Sequence, residues 1–340
     1  MKSLKSIIKS LSYTSRFEED KIDFLIKLAE LTHRKSGEIV TKQFEQSHSF
    51  YFLLEGSVNF NISLEDKGQE LSVGKSDKQF TPIGWSGFRQ PKRYATTVRA
   101  NKDSTFIRWN HKNLEKFFEQ EPLLGREFIL FVIKQSVDLL YQVCKELVRY
   151  ENTNIDIDYG KTSGSFAERE NIIVPGSKEL LQKSSFFEIF PEKLIKKLSR
   201  ISVKKWYLSG DHVFDQGDET EGIDVLAYGK VALFFKDNSS KNLDDSGILG
   251  IVSRPGTIIG WRGLCPSLLN ETTAIATKDS VVYHISKKNL NKIISSDPDL
   301  GFTFSKRLLW LVSIRLRNAR AGLISRSYER EIISINNIID

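Results

Sequence analysis

The feature that most constrains this chain is an internal repeat. Residues 112–128, KNLEKFFEQEPLLGREF, align with KKNLNKIISSDPDLGFTF at 287–304, pairing Asn113, Leu114, Lys116, Pro122, Leu124 and Gly125 with Asn289, Leu290, Lys292, Pro298, Leu300 and Gly301. At the same offset, Ala100, Lys102, Asp103 and Ser104 meet Ala276, Lys278, Asp279 and Ser280, and IGWSGF at Ile83 meets IGWRGL at Ile259. Further upstream a three-residue insertion shifts the register, and Gly37, Gln43 and FLLEGSV pair with Gly210, Gln216 and VLAYGKV. That many matches in one order mark a duplicated domain. The segment between the copies, Glu151–Glu170, is polar, rich in Gly, Ser and Asn, and lacks an apolar period, which is linker composition. The expected division is therefore 1–150, a linker at 151–176, and 177–340.

Each copy reads in the same sequence of elements. A short helix comes first, with Phe17, Phe24, Leu25 and Leu28 at helical spacing in copy one and Leu194, Ile195 and Leu198 in copy two. Runs rich in aromatic and β-branched residues follow, such as SFYFLLEGSVNFNIS and IDVLAYGKVALFF, and read as strands. TTVRANKDSTFIRWN and TTAIATKDSVVYHIS each read as two runs parted by a Lys-Asp-Ser turn. A long helix closes each copy, starting at Pro122 and at Pro298, where proline has no amide hydrogen to lose. The fold class is α+β: two tandem antiparallel, jelly-roll-like β-rolls of about eight short strands each, flanked by helices, with a long C-terminal helix per copy.

Composition sets the outer limits. In 340 residues, 40% hydrophobic and 27% charged is a globular balance, and no apolar run is long enough for a membrane span. The N-terminus has no apolar core followed by a cleavage site, so no signal peptide is expected. Two cysteines, Cys144 and Cys265, make neither a disulfide framework nor a four-ligand zinc site, which points to the cytoplasm. Five scattered histidines and the lack of a Walker loop, nucleophile elbow or HExxH pattern argue against an enzyme. The net charge is +7, and residues 301–340 hold seven basic residues against three acids. Such a tail suits an anionic partner or a solvated helix face. It also carries an apolar stripe, Leu308, Leu309, Val312, Leu316 and Leu323, suited to a homodimer seam or to packing within the chain.

The G-x-x-[IV] turns at Gly37 and Gly210, Gln216-Gly217-Asp218, FLLEGSV and VLAYGKV, the IGW motifs and the final strands before a long helix resemble the cyclic-nucleotide-binding domain family. These are the β-roll ligand sensors of catabolite-activator-like regulators, kinase regulatory subunits and gated channels. The resemblance covers both copies. It implies a phosphate-binding cassette in which a glutamate takes the ribose hydroxyl and an arginine pairs with the cyclic phosphate of cAMP or cGMP. The glutamate position holds Trp85 and Trp261, and the arginine position holds Tyr94 and Asn270; a slip of one residue offers Arg93 in copy one but Glu271 in copy two. Copy one keeps the nearby cations Arg89, Lys92 and Arg93, whereas Arg262 is the nearby cation in copy two.

The ligand-binding candidates are Gly84, Trp85, Ser86, Gly87, Arg93, Thr96 and Thr97 in copy one, and Gly260, Trp261, Arg262, Gly263, Thr272 and Thr273 in copy two. The glycines suit either an anion cradle or a tight turn, and the tryptophans either a stacking face or core packing. The leading expectation is a non-enzymatic regulatory or sensor protein that binds a nucleotide (cAMP, cGMP) or another small anion in domain 1. A ligand-free scaffold for a protein partner, or a nucleic-acid-associated regulator working through 306–330, stand as alternatives. No winged helix-turn-helix follows the last helix, so sequence-specific DNA reading of that family's kind is not expected.

Overall fold

The structure is a computed structural model that describes residues 3–64, 69–149, 173–237, 246–265 and 268–339, with side chains for all of these except 64, 69, 149, 246 and 326–339. Most of the expected linker lies outside the described residues. Two six-stranded antiparallel sheets are present, and their topologies match. In the first, the order is β1 (Ala29–Arg34), β6 (Thr97–Asn110), β3 (Ser49–Leu64) and β4 (Gln69–Ser76), with β2 (Ile39–Thr41) on β6 and β5 (Pro82–Ile83) on β3. In the second, β7 (Val203–Tyr207), β12 (Thr273–Ser286), β9 (Gly222–Lys236) and β10 (Ser246–Val252) repeat that order, with β8 (His212–Phe214) on β12 and β11 (Ile258–Ile259) on β9.

The strands are fewer and longer than the sequence suggests, and the reason lies in the Lys-Asp-Ser tripeptides. Neither is a turn between two strands. Each is a register break inside one continuous bent strand, β6 or β12. Ser104 Oγ accepts from Ser57 N–H at 3.1 Å and donates to the Lys102 carbonyl at 2.7 Å, while the Asp103 carboxylate accepts from Ser36 N–H at 2.9 Å. Ser280 and Asp279 repeat this with Lys230, Lys278 and Ser209. The side chains supply the partners that the broken ladder withdraws, so the strand bends without ending.

Helices enclose the sheets. The first unit holds α1 (Leu4–Lys9), α2 (Glu19–Lys27), α3 (His111–Gln120) and most of α4 (Pro122–Arg149); the second holds α5 (Ser177–Lys183), α6 (Glu192–Ile201) and α7 (Lys287–Ile294). Asn110 and Ser286 cap α3 and α7 from equivalent positions, accepting from Asn113 and Asn289 N–H. The last helix, α8 (Pro298–Ile339), begins at its proline as expected, and none of the described helices is long and apolar enough to cross a membrane.

Contacts gather the chain into Met1–Val143 with Asp297–Asp340, and Cys144–Ser296. The sequence order places the last helix with copy two, whereas its contacts group α8 with the first roll. Leu308, Leu309, Val312 and Leu316 of its apolar stripe are buried, Leu316 lines a pocket with Phe60 and Val98, and Ile324 packs against the roll cluster of Val40, Phe60, Val73 and Val98. Of the two uses the stripe suits, a homodimer seam or packing within the chain, the buried Leu308, Leu309, Val312 and Leu316 show the second. Conversely, the end of α4 belongs to the second unit, where the Lys145 ammonium lies 2.8 Å from the buried Asp237 carboxylate.

Phe128 of α4 anchors the first unit. Its ring is fully buried against Tyr13, Phe50, Phe52, Phe88, Trp109 and Phe118, most of them edge-on or tilted. Phe128→Ala is expected to cost about 3–5 kcal/mol of unfolding free energy by urea titration. The half-exposed Phe24→Ala is expected to cost less than about 1 kcal/mol in the same measurement.

Candidate functional site

In the first roll, β5 ends at Ile83 and is followed by Gly84, whose φ of +80° lies in the left-handed region that glycine enters without strain. A single 3-10 turn, Trp85–Phe88, follows and is wholly buried. The Gly84 carbonyl accepts from Gly87 N–H (3.0 Å), Ser47 Oγ (3.2 Å) and the His111 ring at Nε2 (2.9 Å). A Cβ at Gly87 would stand 2.3 Å from His111 Nε2, so only glycine allows the ring this close. Burial pushes the His111 pKa down to about 4 and keeps the imidazole neutral. Gly84 and Gly87 therefore build the turn through their backbone rather than through a free anion cradle.

The other candidates divide. Trp85, Ser86 and Thr96 are buried and line a pocket together with Phe60, Tyr94 and Arg89. Tyr94, at the arginine position, is clamped by Ser49: its hydroxyl donates to the Ser49 carbonyl (3.1 Å) and accepts from Ser49 N–H (3.0 Å). Arg93 is exposed, donates to the Phe44 carbonyl at 2.7 Å and is not among the pocket-lining residues. Thr97 Oγ1 accepts from Gln43 N–H at 3.1 Å and ties the turn after β2 to β6. The remaining wall comes from α8, with Ser313, Leu316, Arg317 and Arg320. Arg317 and Arg320 read in the sequence as parts of a basic tail. Arg320 nevertheless follows Val312 and Leu316 at four-residue intervals, and that spacing sets it on the apolar face.

The second roll repeats the turn but not the pocket. Gly260 is left-handed at φ +68°, Trp261–Leu264 forms the 3-10 turn, and a Cβ at Gly263 would collide with the Gly222 carbonyl. Thr273 Oγ1 accepts from Gln216 N–H at 3.0 Å, as Thr97 does from Gln43, and Thr272 is buried. Arg262, the expected cation, is already engaged. It is buried, pairs with Glu271, donates to the Leu269 carbonyl at 3.0 Å and lies over the Trp261 ring. The cavity beside Gly260 and Asn270 is lined by Asp218, Glu219, Glu221 and Asp224, with Lys205 and His284 as the basic members. That lining disfavours an anion.

Two expected outcomes check this geometry. Unfolded His111 takes up a proton near pH 6.5 while the folded ring stays neutral to about 4, so stability falls as pH drops through that window, by at most about 1.4 kcal/mol per unit. Urea midpoints at pH 7, 6 and 5 should show His111→Gln losing less stability than wild type. In the second roll, Arg262→Met leaves the Glu271 carboxylate buried without its partner and is expected to cost about 3 kcal/mol; adding Glu271→Leu should restore most of that in the same titration.

The family model described as cyclic nucleotide-binding domain matches residues 31–121 and 204–297. No curated protein matches the sequence. Among solved structures, the chain is similar to the regulatory domain of Toxoplasma gondii PKA with cAMP, at 10% identity over 87% of this chain and 93% of that one, with a TM-score of 0.33. It is also similar to the regulatory subunit of a cAMP-independent protein kinase A from Trypanosoma cruzi bound to guanosine, at 11% identity over 89% and 92%, with a TM-score of 0.30. A cyclic nucleotide-binding-like protein from Brucella abortus shares 20% identity over 36% of this chain and 99% of its own, with a TM-score of 0.31.

Proposed function

The chain belongs to the cyclic nucleotide-binding domain family, and from that premise we propose that it is a non-enzymatic, cytoplasmic regulatory protein whose first roll senses a nucleotide or other small anion while its second roll works without a ligand. The observation that carries this reading is the difference in charge between equivalent places. In the first roll, the pocket beside Trp85, Ser86 and Thr96 is lined also by Arg89, Arg317 and Arg320 and by no Asp or Glu. In the second, the cation at the corresponding turn, Arg262, is neutralised by Glu271 from the same copy. A roll with its own counter-ion in place gains little from an outside anion, because that anion must displace a buried ion pair.

The sensing copy departs from the family's cassette at both key positions, Trp85 and Tyr94, so cAMP and cGMP are two members of the ligand class to be tried rather than its definition. The second copy, closed by Arg262 and Glu271, suits the role of a scaffold for a protein partner. Both cysteines are buried free thiols, and burial pushes the Cys265 pKa up to about 12, which fits a structural use of these groups in a reducing compartment.

Hydrogen–deuterium exchange tests the division of labour. With the full chain and separate additions of cAMP, cGMP and inorganic phosphate, at least one ligand is expected to slow exchange across 84–97 and leave 260–273 unchanged. Protection of 260–273 in place of 84–97, or of neither segment with any of the three, contradicts the reading.

A further inference from the structure

Taking the first roll as the ligand-binding copy, we propose that its pocket takes an organic anion, an apolar body bearing a phosphate head, and that the head is bound by Arg320, delivered from the far end of the chain by α8.

The first observation is an uncompensated charge. Arg320 is only 6% exposed, its Nε has no hydrogen-bond partner, and its guanidinium centre sits 5.5 Å from the Phe60 ring. A guanidinium carries five N–H donors and is costly to bury without acceptors, a cost that one ring contact does not offset. Burial draws its pKa down to about 10, which still leaves it charged at neutral pH. Several arginines of the same unit find carboxylates: Arg16 meets Glu127, Arg99 meets Glu70 and Arg108 meets Glu30. Arg320 is buried more deeply than any of these, has no carboxylate against it among the described residues, and lines a pocket.

The second observation is that other cations gather at the same place. Arg89 lines the pocket with its own Nε unpartnered, and its side chain makes only a long 3.5 Å contact to the Gln90 carbonyl. Burial, and then repulsion from Arg317, both draw the Arg89 pKa down. No Asp or Glu is among the residues lining this pocket. Arg89, Arg317 and Arg320 thus line one pocket whose wall carries no carboxylate, a setting in which a bound anion would be favoured.

The rest of the wall says what the anion is attached to. Phe60, Ile62, Trp85, Val98 and Leu316 are apolar and line the same pocket as the arginines. An inorganic ion leaves that surface unfilled, whereas an organic phosphate covers it and gains the burial. Because Arg89 belongs to the roll and Arg320 to α8, the head group bridges the two and its binding strengthens the docking of the last helix.

Calorimetry on the full chain tests this with phenyl phosphate as the probe, phenol as its neutral counterpart, and Arg320→Met, which keeps length and apolar bulk but removes the charge. Wild type is expected to bind phenyl phosphate at one site, and phenol at least about tenfold more weakly. Arg320→Met is expected to weaken phenyl phosphate about 10–100-fold, leave phenol unchanged and raise the Tm of the unliganded protein. Arg93→Met, at the exposed contact with the Phe44 carbonyl, is expected to bind as wild type. The proposal is overturned if wild type binds no phenyl phosphate, if Arg320→Met binds it as tightly as wild type, or if that variant lowers the Tm and weakens phenol and phenyl phosphate alike. Phenol binding as tightly as phenyl phosphate defeats the anion assignment but leaves the first roll a ligand sensor; exchange protection confined to 260–273 defeats the sensor reading itself.

Discussion

A guanidinium removed from water must find negative charge, and the two rolls meet that requirement in opposite ways. In the second, Arg262 is buried at the 3-10 turn and paired with Glu271, nine residues on, so the turn is closed from within. In the first, the equivalent turn carries Ser86, and the cations around it come from Arg89 and from α8, with no carboxylate on the pocket wall. Duplication gave both copies the same glycine turn and the same bent strands. Divergence at a few side chains then made one copy electrostatically complete and left the other unsatisfied.

The turn itself is rigid for reasons unrelated to a ligand. Gly84 must be left-handed, Gly87 must have no side chain, and neutral His111 holds the Gly84 carbonyl from below. These constraints fix the position of Trp85 and Ser86 on the wall, so whatever enters the pocket meets a prepared surface. The variable part is α8. It brings Leu316 and Arg320 to the pocket wall and packs Ile324 on the roll, which couples the charge of the pocket to the seating of a helix more than two hundred residues away in sequence.

Much of this was legible in the chain. The repeat, both rolls, the proline starts of α4 and α8, and the IGW turns follow from spacing and composition because local steric rules govern them. The Lys-Asp-Ser tripeptides misled, since a polar tripeptide between two β-rich runs has turn chemistry, and only the cross-strand bonds of Ser104 and Asp103 show it to be a bulge. Arg93 looked suitable by position in the cassette, but its side chain reaches the Phe44 carbonyl instead. Arg320 was hidden in a basic tail because burial depends on which surface a helix meets, and one chain's pattern does not name that surface. Its spacing from Leu316 was the available sign.

The central claim is that the two copies differ in their need for an anion, and anomalous diffraction reads that difference directly. Crystals soaked in selenate, a tetrahedral dianion with a strong anomalous signal, should show a peak about 3 Å from the guanidinium of Arg320 in the first roll and none beside Arg262. A peak at Arg262, or an unoccupied first pocket with Arg320 turned onto a protein acceptor, would contradict the account.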